Sequence, residues 1–336
     1  MTNKFIPLRI AGVGYSVPET VITNNDLTKL YDTTDEWIYT RTGIKERRVV
    51  SGEESATDLG YEAAKKAIEK AKIDVNEIDL IIAASSAPSD LYPAMSCRIQ
   101  AMLGITKHIP AFDMTAACSG LIYALDMAKA YIASGTYKTI LIVAADNNSR
   151  MCDWTDRSVS ILFGDGAGAM VVTASEDGIN DVLSINIRAD GSIGQYITLP
   201  LRGQNCPLVE PCEERHTHIK MLGKEVYKFV VKILPEYIDQ CLEEANLKAE
   251  DIDYLIPHQA NQRIIDAIQQ RLGYSDEKVI SNIEYYGNTS AASVTIALAE
   301  GVESGKIKLP STAILCGFGA GMTWGVAIVR LREGIC

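Results

Sequence analysis

Apolar and polar positions along the chain change period several times. From Ser55 to Lys72 the apolar residues recur at the three- and four-residue spacing of an amphipathic helix. From Ile78 to Ala83 they run unbroken, as in a parallel strand covered on both faces. Before these, residues 5–14 predict a first strand ending in glycines, and Thr23 to Tyr31 a short capped helix. After them, His108 to Met114 reads as a short buried strand, and Leu121, Leu125, Ala128 and Ile132 mark an apolar helix that Gly135 stops. Apolar strands follow over Thr139–Ala145 and Ala167–Thr173. Alternation of strand and helix predicts an α/β protein.

The pattern is then faintly repeated. Glu77-Ile-Asp-Leu-Ile-Ile82 has its counterpart in Asp251-Ile-Asp-Tyr-Leu-Ile256, helices close on Leu-Gly at Gly104 and Gly273 and on Ser-Gly at Gly135 and Gly305, and each half ends on two apolar strands, in the second Thr312–Cys316 and Gly325–Leu331. Corresponding landmarks, Asp79 with Asp253, Gly104 with Gly273 and Gly135 with Gly305, lie 174, 169 and 170 residues apart. This is too long for a solenoid and predicts two copies of one α/β unit, with residues 5–175 as the first half and 176–336 as the second. An offset of 170 sets Cys118 opposite Asn288, each at a helix start, and predicts a cleft between the halves.

Composition narrows the function classes. The 336 residues are 47% hydrophobic and 22% charged, and carry a formal charge of −11 with no compensating basic block, which argues against nucleic acid as a partner. No apolar run predicts a signal segment or a membrane span, so a cytoplasmic protein without membrane contact is expected, and its eight scattered cysteines are expected to be reduced thiols.

Cys118 stands out, in Asp113-Met-Thr-Ala-Ala-Cys-Ser-Gly-Leu121, at a strand-to-helix turn where small neighbours leave room for a substrate. The helix dipole there is expected to favour the thiolate of a nucleophile, and the competing reading is a packed structural thiol. His258 falls at the carboxyl end of a strand, where α/β sheets bind ligands, although a structural imidazole is also open. Asn288 suits either a polar site or a helix cap. Cys316 to Gly325 predicts a glycine-rich turn able to offer backbone N–H groups to an oxyanion. Trp37 and Arg41, four apart, form a possible aromatic-cationic surface. Cys206, Cys212, His216 and His218 match no zinc module, so no metal is expected.

Taken in order, Thr34-Asp-Glu-Trp-Ile with Arg41-Thr-Gly-Ile, Ala116-Ala-Cys-Ser-Gly120, Thr155-Asp-Arg157, Phe163-Gly-Asp-Gly-Ala-Gly168, Pro257-His-Gln-Ala-Asn261, Gly287-Asn-Thr-Ser-Ala-Ala-Ser293 and Gly317 to Gly325 resemble the β-ketoacyl-acyl-carrier-protein synthase III family of the thiolase superfamily. The resemblance implies a thiolase-like fold in five αβαβα layers, and decarboxylative condensation of a short acyl-CoA with malonyl-acyl carrier protein through an acyl-Cys118 intermediate, without a cofactor. It implies Cys118, His258 and Asn288 as the catalytic set, with the N–H groups of Cys118 and Gly321 as oxyanion hole. Trp37, Arg41, Arg157, Gly223 and Asn261 match coenzyme A contacts, Phe163 and Tyr92 the acyl pocket, with Tyr92 reaching a neighbouring subunit and so implying a homodimer. Lys220, Lys224, Lys228 and Lys232, recurring every four residues, and Arg263 are either a solvated face or a dock for the acidic carrier. A specialised acyltransferase of secondary metabolism, a Cys-His-Asn hydrolase and a non-catalytic partner subunit are the alternatives.

Overall fold

The computed structural model describes residues 5–200, 208 and 218–335. Cys206, Cys212 and His216 lie outside these residues, whereas His218 is within them. The strands gather into two main sheets. In the first, the spatial order is Leu8–Ser16, Gly166–Ala174, Thr139–Asp146, Leu80–Ala84 and Ala111–Met114. In the second it is Val182–Ala189, Thr323–Leu331, Ser311–Gly319 and Tyr254–Pro257, the same chain order laid down again. The counterpart of the fifth strand is reduced to a single parallel bridge between Leu255 and Val279. Both sheets are mixed: Leu80–Ala84 lies parallel to both its neighbours, while the last two strands of each half pair antiparallel.

Alternation along the strands builds the layers. On Thr139–Asp146, Ile140 and Ile142 pack inward against Leu121, Leu125, Ala128 and Ile132 of the Gly120–Ala133 helix. Leu141, Val143 and Ala145 pack outward against Leu59, Ala63 and Ala67 of the Ala56–Ala71 helix. In the second sheet Ala313 and Leu315 join the inner core, and Ile314 and Cys316 meet Val230, Leu234 and Ile238 of the Gly223–Glu244 helix. Helices Gly120–Ala133 and Ser293–Glu303 therefore form a central layer between the sheets, and the chain stacks as αβαβα. Each fully buried Leu or Ile of these faces contributes roughly 1.5–3 kcal/mol by leaving water.

Predicted helix starts are confirmed at their caps. Thr23 and Ser55 both head capping boxes, with Asp26 and Asp58 at the third position. Asp113, on the edge strand, accepts from the backbone of Met95 (2.6 Å) and Ser96 (2.9 Å) and so fixes the helix after Tyr92. Two expectations change. Lys220 sits in a two-residue strand, Lys220–Met221, so the lysine row is helical only from Lys224 onward. The Cys316–Gly325 stretch is mostly paired strand, with only Ala320, Gly321 and Met322 left to turn between Gly319 and Thr323. Close approach explains the glycines: a Cβ on Gly319 would lie 2.5 Å from the Cys118 backbone nitrogen, and one on Gly317 would lie 3.2 Å from its carbonyl oxygen.

Candidate active site

A cavity of about 1190 Å³ opens between the two halves. Cys118, His258, Asn288, Phe163, Gly319 and Gly321 line its inner part, and Trp37, Arg41, Gly223, Lys224, Asn261 and Arg263 its outer part.

Local structure fixes each inner group. Cys118 lies in a 3-10 turn, Ala117–Ser119, that runs directly into the central helix at Gly120. The turn is tied to the glycine-rich hairpin, because Thr323 Oγ1 donates to the Ala116 carbonyl at 2.9 Å and Ser119 Oγ donates to Thr323 Oγ1 at 2.9 Å. His258 follows the Tyr254–Pro257 strand and extends its pairing through a backbone bond to Cys316 (2.7 Å). Its ring is 2% exposed, lies edge-on to Phe318 and meets Ser293 Oγ at Nδ1 (2.7 Å). Asn288 accepts from the Ser290 N–H at its Oδ1 (2.8 Å), so the amide nitrogen is the group left to donate to a ligand. The cap-like bond and the polar-site reading of Asn288 thus coexist.

At the mouth, Thr34 caps the Asp35–Thr42 helix and sets Trp37 one turn from Arg41, whose guanidinium carbon lies 4.2 Å from the indole centroid. Arg157 stacks on the same indole at 4.7 Å and also donates to the Asp32 carbonyl. Asn261 caps the Gln262–Leu272 helix and donates to the Arg41 carbonyl at 3.2 Å, while Arg263 donates to that of Thr40 at 3.0 Å.

Residues 112–191 match the family model of 3-oxoacyl-(acyl-carrier-protein (ACP)) synthase III, and residues 242–331 that of its C terminal. A β-ketoacyl-(acyl-carrier-protein) synthase III of Escherichia coli K12 is 46% identical over 322 residues, spanning 96% of this chain and 99% of that protein. The chain belongs to the β-ketoacyl-acyl-carrier-protein synthase III family. Members are condensing acyltransferases that initiate fatty-acid synthesis. A crystal structure of the synthase III of Aquifex aeolicus VF5 is 44% identical with a TM-score of 0.88, covering 96% of this chain and all of that one. The priming β-ketosynthase of the R1128 polyketide pathway is 33% identical with a TM-score of 0.89, covering 98% of each chain.

Within this synthase III the electrostatics depart from expectation at one point. Burial pushes the Cys118 thiol up to about 12, and Ser290, whose hydroxyl donates to Sγ at 3.3 Å, pulls against it. A helix terminus supplies only about 0.3–2 kcal/mol, and the thiol sits in a turn whose helix begins two residues later, so dehydration outweighs the dipole. Burial also holds His258 at about 3, below the ordinary imidazole range, with a Ser290 backbone bond opposing it. His258 is therefore neutral at physiological pH.

Of the predicted site residues, Tyr92, Arg157, Lys220, Lys228 and Lys232 lie outside the cavity lining. Tyr92 is 86% exposed, since its segment stands off the sheet edge beside Ala111–Met114. Lys228 projects from the helix toward Glu225, bonding it at 2.9 Å. Arg157 reaches the site only through Trp37. Among the described residues, no group of three or more His, Cys, Asp or Glu is placed to hold a metal, and no helix is long and apolar enough to cross a membrane. Sequence reasoning missed Ser290 and Ser293. The two serines lay inside a quoted motif, but nothing in its spacing distinguishes a cavity hydroxyl from a helix cap.

The equivalence of the halves is also refined. Ala117 (φ +48°) and Ser290 (φ +53°) occupy matching left-handed positions as the first residues of matching 3-10 turns, an offset of 173 from 117 to 290. Cys118 is therefore opposite Ala291. Asn288 stands before the second turn, not within it, because the second turn begins later than an offset of 170 allows.

Proposed function

We propose that Cys118 accepts a short acyl group from acyl-CoA and passes it to a carbanion made by decarboxylating malonyl-acyl carrier protein, in a ping-pong cycle. The observation that carries this reading is the convergence of Cys118, His258 and Asn288 on one cavity beside the Gly319–Thr323 hairpin. In the first half-reaction the Cys118 thiolate attacks the thioester carbonyl, the backbone N–H groups of Cys118 and Gly321 hold the oxyanion, and coenzyme A leaves. In the second, neutral His258 and the Asn288 amide donate to the malonyl thioester oxygen as enolate charge develops and carbon dioxide departs. The carbanion then attacks the acyl-enzyme.

Coenzyme A runs along the outer cavity, its adenine on Trp37 with Arg157, its phosphates near Arg41, and its pantetheine arm past Gly223 and Asn261. A side chain at Gly223 would meet only Met221 Cε at 3.9 Å, so packing does not require this glycine, and its absence of bulk serves the ligand. Phe163 bounds the acyl end. Arg263, Lys224 and Lys228 form the basic rim for the carrier protein. No cofactor takes part.

The first sheet ends on Ala111–Met114, whose outer edge has no strand neighbour among the described residues, beside exposed Leu91 and Tyr92. A homodimer formed across that edge buries both and brings each Tyr92 to its neighbour's acyl pocket. The protein works in the cytoplasm without membrane or nucleic-acid contact.

Intact-protein mass spectrometry tests the reading. Acetyl-, isobutyryl-, butyryl-, octanoyl- or an aromatic acyl-CoA is added in separate incubations, then malonyl-carrier protein. A short-chain adduct on Cys118 that the carrier discharges as a 3-ketoacyl product is expected. Only long or aromatic adducts would move the protein to specialised metabolism, and no adduct from any donor would sink the acyltransferase assignment.

A further inference from the structure

The two N–H groups assigned to the oxyanion come from opposite halves of the chain. That of Cys118 belongs to the Ala117–Ser119 turn, and that of Gly321 to the tip of the hairpin between Ser311–Gly319 and Thr323–Leu331. Such a pair works only if the two segments are fixed against each other, because a donor must meet the developing charge at about 2.7–3.1 Å.

One side chain bonds to both segments. The Thr323 hydroxyl faces the Ala116 carbonyl at 2.9 Å, two residues before the nucleophile, and the Ala320 carbonyl at 3.1 Å, while it accepts from Ser119 Oγ at 2.9 Å. Its single proton is thus shared between one carbonyl of the turn and one of the hairpin. The Ala320 carbonyl lies in the same peptide unit as the Gly321 N–H. That unit is trans and planar, so its C=O and N–H point in opposite directions, and holding the first aims the second. The other side of the tip is anchored independently: Met322 donates to the Asp190 carbonyl at 3.0 Å and accepts from the Asp190 N–H at 2.8 Å. Gly321 lines the cavity, and its N–H donates to no backbone group among the described residues.

We propose that Thr323 is the positioning residue of the oxyanion hole: its hydroxyl locks the peptide carrying the Gly321 N–H to the turn carrying the Cys118 N–H. Removing the hydroxyl frees the Ala320–Gly321 peptide to rotate. Ser119 Oγ, which also lies 2.7 Å from the Ala116 carbonyl, then holds the turn, and the Gly319–Thr323 pair with Asp190 holds the rest of the hairpin. The loss therefore falls on steps that develop an oxyanion, and the thiol keeps its own reactivity.

The inference rests on the reading that Cys118 takes an acyl group with its oxyanion on these two N–H groups. Acylation of Cys118 by acetyl-CoA, and by S-phenyl thioacetate, which offers a thioester without the coenzyme, is timed by peptide mass spectrometry in the wild type, Thr323→Val, Thr323→Ala and Thr323→Ser. Iodoacetamide capture of the same thiol, a displacement that develops no oxyanion, is timed in parallel. Thr323→Val and Thr323→Ala are expected to slow both acylations about 10–10²-fold, less than deleting a donor outright, with the half-saturating acetyl-CoA concentration unchanged and capture within about twofold of wild type. Thr323→Ser keeps the hydroxyl and should recover the rate to within a few-fold. Thr323→Ala serves if the valine methyl disturbs the hairpin. Equal slowing of acylation and capture would make Thr323 a prop of the whole turn and overturn the assignment. So would unchanged acylation without the hydroxyl, or a Thr323→Ser protein as slow as Thr323→Val. A wild type that takes the phenyl thioester but no acyl-CoA would sink the proposed function while the positioning role is still measured, and one that takes neither would sink both.

Discussion

In the first half of the chain Ala117, at φ +48°, leads a 3-10 turn into helix Gly120–Ala133. In the second half Ser290, at φ +53°, leads the corresponding turn into helix Ser293–Glu303. The backbones agree and the chemistry does not. The first turn carries one nucleophilic sulfur among small apolar neighbours. The second carries a hydroxyl to that sulfur, follows an amide whose Oδ1 is already bonded, and presents Ser293 to the His258 ring. Duplication thus supplies two strained turns facing one cavity, and the sequences divide covalent work from hydrogen-bonding work.

That division is broken most severely at sulfur. Cys118→Ala is expected to abolish acyl transfer, read as no mass adduct from any acyl-CoA, while leaving the thermal unfolding midpoint within about 2 °C of wild type. Next come the donors of the other half. His258→Ala and Asn288→Ala should each still acquire the acyl group, yet discharge it to malonyl-carrier protein roughly 10²–10³-fold more slowly in single-turnover assays. Normal condensation by His258→Ala would refute the assignment of the second half to enolate stabilisation.

The neutral state of His258 has a stability signature. Its ordinary value is 6.5 and burial lowers it to about 3, so below pH 6.5 the unfolded chain binds a proton that the folded chain refuses. Stability is therefore complete above that pH and falls as the solution is acidified toward pH 3. His258→Gln, neutral throughout, is expected to remove about 2 kcal/mol of the loss between pH 6.5 and 4.5, measured by urea unfolding at each pH. Parallel curves for the two proteins would mean the imidazole is charged in the fold.

Outside the two turns the mouth follows a different logic. Its groups are exposed or half-buried, and their stacking is a matter of a few side chains. Arg157 lies 4.7 Å from the Trp37 centroid, whereas an inserted adenine needs roughly 3.5 Å on each face, so the guanidinium must withdraw to admit it. Trp37→Ala is expected to raise KM for acyl-CoA about tenfold with kcat nearly unchanged, since base stacking is worth about 1–3 kcal/mol. Trp37 fluorescence should change on coenzyme A binding as its cationic neighbour moves. An unaltered KM would place the adenine elsewhere.

The contrast also shows what could be read from the chain beforehand. The apolar periods located most of the helices and strands of both halves, because burial of Leu125 or Ile142 leaves a regular trace, but not the Val182–Ala189 strand. Trp37 and Arg41 were legible from helical spacing alone. Cys118, His258 and Asn288 were legible as residue types at element ends, and the resemblance joined them. Dehydration of the thiol was not legible, since it depends on packing between residues 172 apart, Cys118 and Ser290.

The smallest test probes the strain common to the two turns. A non-glycine residue in the left-handed region costs roughly 1–2 kcal/mol, and glycine gives back about 0.4–1 kcal/mol of that through the freedom of the unfolded chain. Ala117→Gly is therefore expected to raise the unfolding midpoint by about 1–2 °C. Its Cβ also abuts the strand at Gly319, where a second Cβ would lie 2.7 Å away, so removing it loosens the nucleophile turn and slows acylation by a few-fold at most. Ser290→Gly relieves the same strain but deletes the hydroxyl bonded to Sγ. The two variants should gain similar stability, measured calorimetrically, and differ widely in acylation rate. Equal losses of rate would assign the importance of Ser290 to its backbone, and unequal losses assign it to the hydroxyl.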